Sequence, residues 1–475
     1  MSADNKYRQV ETYLRQALQD GLFQCHDKLP SIRKLSEELQ LSKNTVIRAY
    51  QELEAQGVIY AVPKSGYRVK EKASRHSPIA KPTEVNLLSV SKALLSYPKE
   101  KQQLATGSAH PNIDSPAIKS LYAEIGRHSR LQSQMPSHYQ IPPGNDVLIK
   151  QLLKISQDLG VPCQTSDIAV THGAQQGISL ALRALTQPGD IVAVESPCYF
   201  GNLLLMESLG LQVIEVQGSV TTGIDARSLK DTLQKWPVKA ILVTPNFNNP
   251  TGSRMSLEGR QALLDVSGDI PIIEDDVFGE LFYDSPLPSL KALDTKDRVI
   301  YVNSLSKTLD SRLRIGWILS GKYQAQIEKY LICDNMGSLN LMQSAVGEFL
   351  TTGKYRSHTR KMTRTYQVNG KRFLSYLTKS LNTHSVLQSR YHLTHPQGSF
   401  LCWLTLPNHV DTFDLYQRCL KHRISIYPGM LFGTHNQFKH CIRLNFANFE
   451  DNSDWHSGID KLTKLIAEHL ATYDH

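Results

Sequence analysis

Residues 299–317, VIYVNSLSKTLDSRLRIGW, contain the stretch that decides the fold of most of the chain. The β-branched run at its start predicts a buried strand, and the polar residues Asn303 and Ser304 are expected to end that strand shortly before Lys307. In an open α/β sheet ligands bind beyond the carboxyl ends of the strands, so Lys307 is predicted to face a cleft. Partial desolvation there would lower the pKa of its amine and leave neutral amine able to attack an aldehyde. A Ser-x-Ser-Lys string is more often an ordinary surface turn, so the prediction depends on other stretches.

The composition is that of a globular protein. With 475 residues, 40% hydrophobic and 20% charged, the chain is long enough for roughly three domain-sized units. It contains neither an apolar run long enough for a membrane span nor an apolar stretch near its N-terminus, so neither membrane insertion nor secretion is expected. Its seven cysteines are scattered and show no CxxC spacing, which predicts a reducing cytoplasm and no metal site. The net charge of +9 is compatible with a polyanionic partner.

Further polar motifs follow other predicted strands. Residues 167–185 predict strand, turn and helix, and the free N–H groups at the helix start around Ala174 and Gln175 would suit a phosphate. Beyond the next strand Tyr199 could stack on a flat cofactor, although such an aromatic residue more often belongs to the core. Asn249, in NNPTG, could bond a ring oxygen, or it could simply form an Asn-Pro turn.

Three consecutive acids, residues 274–276, end another buried apolar run. Carboxylates in that position must meet a cation, a metal or water. A carboxylate opposite a pyridinium nitrogen would keep the ring protonated, which is what makes pyridoxal phosphate an electron sink.

The order of these motifs is more informative than any one of them. GAQ, an aromatic residue, NPTG, D-D-x-aromatic, SxSK and RxG, each near a predicted strand end, strongly resemble the fold-type I aminotransferases. The resemblance implies an α/β fold with large and small subdomains and pyridoxal 5'-phosphate as the cofactor. By that resemblance Lys307 forms the covalent bond to the cofactor, and Asp275 pairs with its pyridine nitrogen; these two are the catalytic candidates. The implied cofactor-binding residues are Tyr139, Ala174, Gln175, Tyr199, Asn249, Asp275, Ser304, Lys307 and Arg314.

Two of the implied residues bear on assembly and on the ligand. Tyr139 matches the tyrosine that reaches the phosphate across a dimer interface, so the resemblance implies a site shared between two subunits. Arg443, near the C-terminus, matches the arginine that holds a substrate α-carboxylate with two parallel hydrogen bonds. The alternative interpretation is that Arg443 is an ordinary arginine on a strand, exposed to solvent and without a ligand.

Residues 1–70 are predicted to form a separate winged helix-turn-helix unit. Apolar residues recur at helical spacing in a first helix, and two more helices are expected to begin at the N-caps Ser31 and Ser42, before a hairpin with its turn at residues 63–66. The third helix carries polar and basic side chains at its N-terminal end, the part that a recognition helix places in the major groove. Three-helix modules also serve as protein-docking domains, and thirteen Lys and Arg against nine Asp and Glu in residues 1–75 do not decide the matter.

The motif itself is more specific. LPSIRKLSEELQLSKNTVIRAYQELEAQG followed by KSGYRV closely resembles the DNA-binding domain of the GntR family. The resemblance implies that this unit binds DNA. The side chains that would contact DNA are Arg33, Ser42, Lys43, Asn44, Thr45 and Arg48, with Lys64 and Gly66 in the wing.

The two units together resemble the MocR/GabR regulators over essentially the whole chain. The predicted division is a winged helix-turn-helix domain in residues 1–70, a linker in 71–85, and an aminotransferase-like, pyridoxal-phosphate-binding domain in 86–475. The resemblance implies a cytoplasmic, homodimeric transcription regulator that reads two DNA half-sites. It also implies a response to an amine, an amino acid or the cofactor itself.

Three positions depart from the aminotransferase pattern. Phe278 replaces a tyrosine that usually bonds the ring oxygen, Ser311-Arg312 replaces a pair of small residues, and His172 replaces the serine before GAQ. None of these removes the lysine, the aspartate or the phosphate cradle, so we expect cofactor attachment to survive while turnover is weak. An enzyme is therefore less expected than a sensor, in which an amino compound docks on Arg443 and displaces Lys307 from the cofactor. The alternatives are an active aminotransferase that carries a DNA-binding domain, and a DNA-binding dimer with a vestigial cofactor site.

Overall fold

The computed structural model describes residues 3–19, 22–23, 27–63, 65–70, 80–88, 91, 102–132, 134, 139–336 and 340–473. Lys64 in the predicted wing and residues 71–79 of the predicted linker lie outside the described residues. Within the described ranges, no helix combines the length and apolar character that crossing a bilayer requires.

The N-terminal unit has the predicted winged helix-turn-helix order. Its elements are α1 (Ala3–Gln19), α2 (Ile32–Glu38), α3 (Lys43–Ala55), β1 (Ile59–Val62) and β2 (Gly66–Val69). Both predicted N-caps are confirmed: the Ser31 hydroxyl accepts the Lys34 N–H, and the Ser42 hydroxyl accepts the Thr45 N–H, each at 3.2 Å. Apolar side chains from the three helices and the antiparallel hairpin form one core, which leaves the polar faces of α2 and α3 outside.

The second unit alternates strands and helices. Its strands are β3 (Thr83–Glu84), β4 (Leu104–Ala105), β5 (Ile168–Thr171), β6 (Ile191–Glu195), β7 (Gln212–Val216), β8 (Gly218–Ser219), β9 (Gly223–Ile224), β10 (Val238–Val243), β11 (Ile272–Asp275), β12 (Val299–Ser304), β13 (Gly316–Leu319), β14 (His392–Leu393), β15 (Leu401–Thr405), β16 (Ile424–Ser425), β17 (Tyr427–Pro428) and β18 (Cys441–Asn445). Its helices are α4 (Pro116–Gln132), α5 (Asp146–Asp158), α6 (Ala174–Leu185), α7 (Phe200–Ser208), α8 (Ala226–Lys235), α9 (Leu257–Val266), α10 (Leu290–Leu293), α11 (Gln324–Asn335), α12 (Asn340–Thr351), α13 (Lys354–Asn382), α14 (Thr412–Lys421) and α15 (Ser453–Ala471). Short 3-10 helices lie at Thr165–Asp167, Gly321–Tyr323 and Gly429–Phe432.

An eight-stranded sheet with the order β3-β7-β6-β10-β11-β12-β13-β5 forms the large part of this unit. Strands β7, β6, β10, β11 and β12 run parallel to one another, whereas β3 is antiparallel to β7, and β13 is antiparallel to both β12 and β5. The parallel strands are buried almost throughout, as their unbroken apolar runs predict. Their carboxyl ends therefore meet along one edge, and the motifs found in the sequence lie there.

The strand before Lys307 is longer than predicted. We expected Asn303 and Ser304 to end it, but β12 includes both, and they pair with Trp317 and Gly316 of β13. The prediction of the strand end was wrong because tertiary pairing with an antiparallel neighbour outweighs the weak strand propensity of these residues.

A smaller four-stranded sheet, β14-β15-β18-β17, forms the second part of the unit. Strand β18 lies between β15 and β17 and is fully buried. Helix α13 packs lengthwise against α15 and also contacts α12 and α4 of the large part.

Candidate cofactor and effector site

Lys307 lies just beyond the carboxyl end of β12 and is partly buried; we call the groups around it the pocket. Its amine donates a hydrogen bond to the carbonyl oxygen of Ala109 at 2.8 Å and lies 5.8 Å from the centre of the Phe278 ring. Burial lowers the pKa of this amine to about 8; the nearby Arg443 guanidinium also lowers it, while Asp275 opposes the shift. A substantial fraction of the amine is therefore neutral near pH 7–8, which a nucleophilic lysine requires.

Asp275 is the last residue of β11, and its side chain is 6% exposed. One carboxylate oxygen accepts the Val277 N–H at 3.4 Å, and the Asn202 amide of α7 adds a second hydrogen bond. Burial raises the pKa of the carboxyl group to about 7. The amide oxygen of Asn202 is itself buried without a hydrogen-bond partner among the described residues. This pair can therefore accept a further donor, such as a protonated ring nitrogen.

The start of α6 brings backbone N–H groups and a guanidinium together. Helix α6 begins at Ala174 after Gly173, whose φ of +82° favours glycine. The Arg314 guanidinium donates to the carbonyl oxygen of His172 at 3.1 Å, so it lies beside this helix start. Gly316 of β13 approaches so closely that a Cβ atom there would lie 2.6 Å from the carbonyl carbon of Gly173. Unpaired N–H groups next to a guanidinium suit a phosphate.

Two other residues predicted at the phosphate are engaged within the chain. The Gln175 amide donates to the carbonyl oxygen of Gly201 at 2.6 Å. The Ser304 hydroxyl lies 2.8 Å from the Ser306 hydroxyl and 2.9 Å from the carbonyl oxygen of Ile315. Gln175 thus connects α6 to α7, and Ser304 holds the turn that leads to Lys307.

Arg443 of β18 is 2% exposed, so it is not the exposed strand arginine of the alternative interpretation. Its guanidinium donates to the side-chain oxygen of Asn249 at 3.1 Å and to the carbonyl oxygen of Gly107, and it lies 4.4 Å from the centre of the Tyr427 ring. Its Nε is buried without a partner among the described residues. Burial lowers the pKa of the guanidinium to about 10, which still leaves it charged at neutral pH. No described carboxylate bonds this cation, so a ligand carboxylate would meet an unneutralised charge.

The aromatic candidates differ in position. Tyr199 is partly buried at the start of α7, with its ring against Phe200 at 4.8 Å and close to the Cα of Gly201. Burial raises the pKa of its hydroxyl, which the nearby Arg443 opposes. Tyr139 is 75% exposed and makes no hydrogen bond or ring contact within the described ranges. The structure of one chain therefore brings Tyr199 to the pocket but leaves Tyr139 at the surface.

Sequence reasoning missed several residues around the pocket. Asn202 lies within a helix rather than at a strand end, and its contact with Asp275 has no local sequence signal. His110 comes from an irregular segment; its ring Nδ1 lies 2.8 Å from the Ser311 hydroxyl, and its carbonyl oxygen accepts the Asn445 amide. Tyr427 was missed as well, although its pairing with Arg443 on adjacent strands could be suspected once the small sheet was drawn.

Comparisons with known proteins agree with both units. Residues 106–454 match the family described as aminotransferase class I and II, and residues 6–69 match the bacterial regulatory proteins of the gntR family. The Escherichia coli HTH-type transcriptional regulator YjiR, itself uncharacterized, is 31% identical over 93% of this chain and 95% of its own length. A second E. coli regulator, YdcR, also uncharacterized, is 31% identical over 98% of this chain and 100% of its own.

The chain belongs to the MocR-type regulators.

A solved structure supports the fold of the larger unit. Pyrococcus horikoshii kynurenine aminotransferase, crystallised with pyridoxamine phosphate, matches with a TM-score of 0.70 and 25% identity over 82% of this MocR-type chain and 96% of its own. The fold class predicted from the strand-end motifs is thereby confirmed.

The DNA-binding domain of this MocR-type chain presents the predicted contact residues on one exposed surface. Ser42, Lys43, Asn44 and Arg48 are exposed and Thr45 is partly exposed, all on α3 or at its cap. Their roles remain predictions. Arg33 of α2 is exposed and pairs with Glu37 at 2.9 Å, and Gly66 opens β2 in the exposed wing.

The three departures from the aminotransferase pattern have distinct surroundings. Phe278 is fully buried against Phe400, so no hydroxyl is available at that position. Arg312 pairs with the buried carboxylate of Asp310 at 2.6 Å, which neutralises much of its charge at the pocket. The backbone carbonyl oxygen of His172 accepts a hydrogen bond from the Arg314 guanidinium.

Proposed function

We propose that this MocR-type regulator binds pyridoxal 5'-phosphate at Lys307 and uses the bound cofactor to sense a carboxylated amine. The observation that carries the proposal is the cluster of polar groups around Lys307. It combines an amine of lowered pKa, a buried carboxylate and a buried guanidinium whose charge no described carboxylate neutralises. These three groups lie on a chain whose other unit is a GntR-type DNA-binding domain.

The residues present fit the cofactor. Asp275 and Asn202 have spare capacity for a donor where the pyridine nitrogen would lie, and the start of α6 with Arg314 offers donors for the phosphate. When bound, the cofactor supplies an aldehyde that captures primary amines reversibly. In this proposal the backbone N–H groups of Ala174 and Gln175 and the Arg314 guanidinium bind the phosphate, and Ser304 positions the turn beside it. Asn249 would bond the ring hydroxyl, and Tyr199 would cover one face of the ring.

The protein side chains prepare the site for a carboxylated amine. Burial keeps Lys307 partly neutral, so it can bond an aldehyde and also be displaced by a competing amine. Arg443 would bind the ligand carboxylate by two parallel hydrogen bonds, one of them from the Nε that is now without a partner. Phe278 offers no hydroxyl to tune the ring, which favours reversible binding over rapid turnover.

The site also has a route to the DNA-binding domain. The loop that carries Asn249 is joined to the small sheet by a hydrogen bond from the Thr394 hydroxyl to the carbonyl oxygen of Thr251 at 2.9 Å. Two residues earlier, the His392 ring packs edge-on against Phe23 of the winged helix-turn-helix unit at 5.0 Å. A ligand that moves the Asn249 loop would therefore change the surface on which the DNA-binding domain rests. An effect on DNA binding requires that the ligand favour one arrangement over the other.

Assembly completes the proposal. An exposed Tyr139 would be explained if it enters the pocket of a partner subunit, as the family resemblance implies. A dimer would then present two DNA-binding domains to two half-sites.

The decisive experiment follows absorption and DNA affinity together. Wild-type protein incubated with pyridoxal 5'-phosphate should gain the near-visible band of a lysine-bound cofactor, and a panel of amines and amino acids should change both this band and the affinity for DNA from upstream of its own gene. Lys307→Ala should lose the band and the response to ligand, whereas Lys322→Ala, at an exposed lysine, should retain both.

Two results would contradict the proposal. Absence of the band in the wild type would favour a vestigial site, and sustained keto-acid production at many turnovers per second would favour an aminotransferase.

A further inference from the structure

Among the helices and strands that the structure describes, the most positive one lies outside the DNA-binding domain. Helix α13 (Lys354–Asn382) contains eight Lys and Arg and not one Asp or Glu, in a chain whose net charge is +9. The segment that includes the GntR-type domain, residues 1–75, has an excess of only four. Nothing in the cofactor pocket or in the recognition helix accounts for this concentration of charge.

The charges form one stripe on the outer face of α13. The opposite face is buried against the protein by residues such as Met362, Tyr366 and Phe373. All eight cations are exposed: Lys354, Arg356, Arg360, Lys361, Arg364, Lys371, Arg372 and Lys379.

Few of these cations are neutralised. Arg356 pairs with Asp158 and Arg372 with Asp451, whereas Lys354 donates to the Ser120 hydroxyl. The remaining five have no ion-pair partner within the described ranges: Arg360, Lys361, Arg364, Lys371 and Lys379. Like charges one turn apart, as at residues 356, 360 and 364, destabilise a helix. A bound polyanion would remove this repulsion.

The position of α13 favours DNA as the polyanion. The last residue of the helix, Asn382, accepts a hydrogen bond from the Tyr391 hydroxyl at 3.0 Å. The neighbouring Ser389 bonds Tyr13 of α1, and His392 packs on Phe23, so one end of the helix lies beside the DNA-binding domain. At about 1.5 Å per residue the 29-residue helix spans roughly 44 Å, the length of about 13 phosphates along one DNA strand.

We propose that the basic stripe of α13 binds the phosphate backbone of duplex DNA that flanks the segment held by the GntR-type domain. The contacts would be to phosphates, so they would add affinity without adding sequence preference. The aminotransferase-like unit would then be a second DNA-binding surface as well as the sensor. This inference rests on the DNA-binding function proposed above.

The test compares two triple variants in the full-length protein loaded with cofactor. Arg360→Gln, Lys361→Gln and Arg364→Gln remove three unpaired charges from the stripe. The matched control, Lys230→Gln, Lys239→Gln and Lys329→Gln, removes three exposed charges of the same unit that also lack ion-pair partners in the described part of the chain. Binding to a labelled 40-bp duplex of arbitrary sequence is measured by fluorescence anisotropy between about 50 and 200 mM salt.

We expect the stripe variant to bind about tenfold or more weakly at the lowest salt, and its slope of log affinity against log salt to fall by about 2 to 3, since each lost phosphate contact removes about 0.9. The control should change affinity less than about twofold. A third triple variant, Arg360→Lys, Lys361→Arg and Arg364→Lys, keeps the three charges and should have the same salt slope as the wild type.

Other outcomes overturn the inference. Equal effects of the two triple variants would mean that only net charge matters. Unchanged DNA binding together with lost binding to vesicles of anionic phosphatidylglycerol would assign the stripe to a lipid surface. If wild-type protein binds no duplex at all, the DNA-binding function fails too; if it binds and the stripe variant equals the control, only the inference on α13 fails.

Discussion

The proposed cofactor site and the proposed recognition helix both contain cations that would meet an anionic ligand, but these cations lie in opposite surroundings. Arg443 and Lys307 are removed from water, so their pKa values fall to about 10 and 8. The cations of α3, Lys43 and Arg48, are exposed to solvent. Burial lowers the pKa of a cation and protects it from screening by salt, whereas the attraction between an exposed cation and its partner weakens as salt rises. If the proposed function is correct, the cations for the small ligand are buried and those for the polymer are exposed.

Loss of Arg443 should have the largest effect. Arg443→Ala leaves a ligand carboxylate buried without its partner, which costs about 2–5 kcal/mol, roughly 30-fold or more in ligand affinity. The measurement is the cofactor absorption during titration with amino acids and with the amines that lack their carboxylates. Wild type should prefer the amino acids, and the variant should lose that preference while retaining the cofactor band.

Arg443→Lys serves as the control, because it keeps the charge but loses the planar guanidinium. Its preference for carboxylated ligands should lie between that of the wild type and that of Arg443→Ala. A variant that still prefers carboxylated ligands would exclude Arg443 as their binding site.

Loss of Arg48 should have a smaller effect, and one that depends on salt. Arg48→Ala removes an exposed cation from α3, which should weaken DNA binding by about 1–3 kcal/mol and leave cofactor binding intact. Because the contact would be solvent-exposed, the loss should shrink as salt rises, whereas the loss caused by Arg443→Ala should not. Lys230→Ala is the matched control, and equal DNA binding by wild type and Arg48→Ala would argue against α3 as the recognition helix.

The smallest effect concerns pH. Asp275 is the anion that opposes the lowering of the Lys307 pKa, so Asp275→Asn should lower that pKa below about 8. Neutral amine is the form that bonds an aldehyde, and its fraction rises with pH through the pKa. The rate of cofactor uptake by the wild type should therefore rise through about pH 8, and that of the variant should rise at lower pH. An unchanged or upward-shifted profile, followed by stopped-flow absorption, would contradict the assigned neighbourhood of the two side chains.

The parts of this protein that sequence predicts well are those with short-range causes. The Ser31 and Ser42 caps and the strand-turn-helix at residues 167–185 follow from local pattern, and the structure has them. The resemblance implied that Lys307 and Asp275 meet at one cofactor, and the structure brings them close together because both follow parallel strands that end at the same edge.

What sequence missed has long-range causes. The end of β12 depends on pairing with β13, and the contact of Asn202 with Asp275 depends on how α7 packs over the sheet. The burial of Arg443 depends on β18 lying between two strands, one of which brings Tyr427 to the guanidinium. In each case the interacting residues are far apart in the sequence, so no short segment of the chain predicts the contact.

The short strand β3 has a consequence for how the two units work together. In β3, Thr83 pairs with Val213 at the edge of the large sheet. Thr83 lies only thirteen residues after Lys70, the residue that follows the hairpin of the DNA-binding domain. A chain of that length can reach at most about 45 Å, so the DNA-binding domain stays within that distance of the sheet edge of its own chain. Dilution of the protein therefore leaves the encounter between these two units of one chain unaffected.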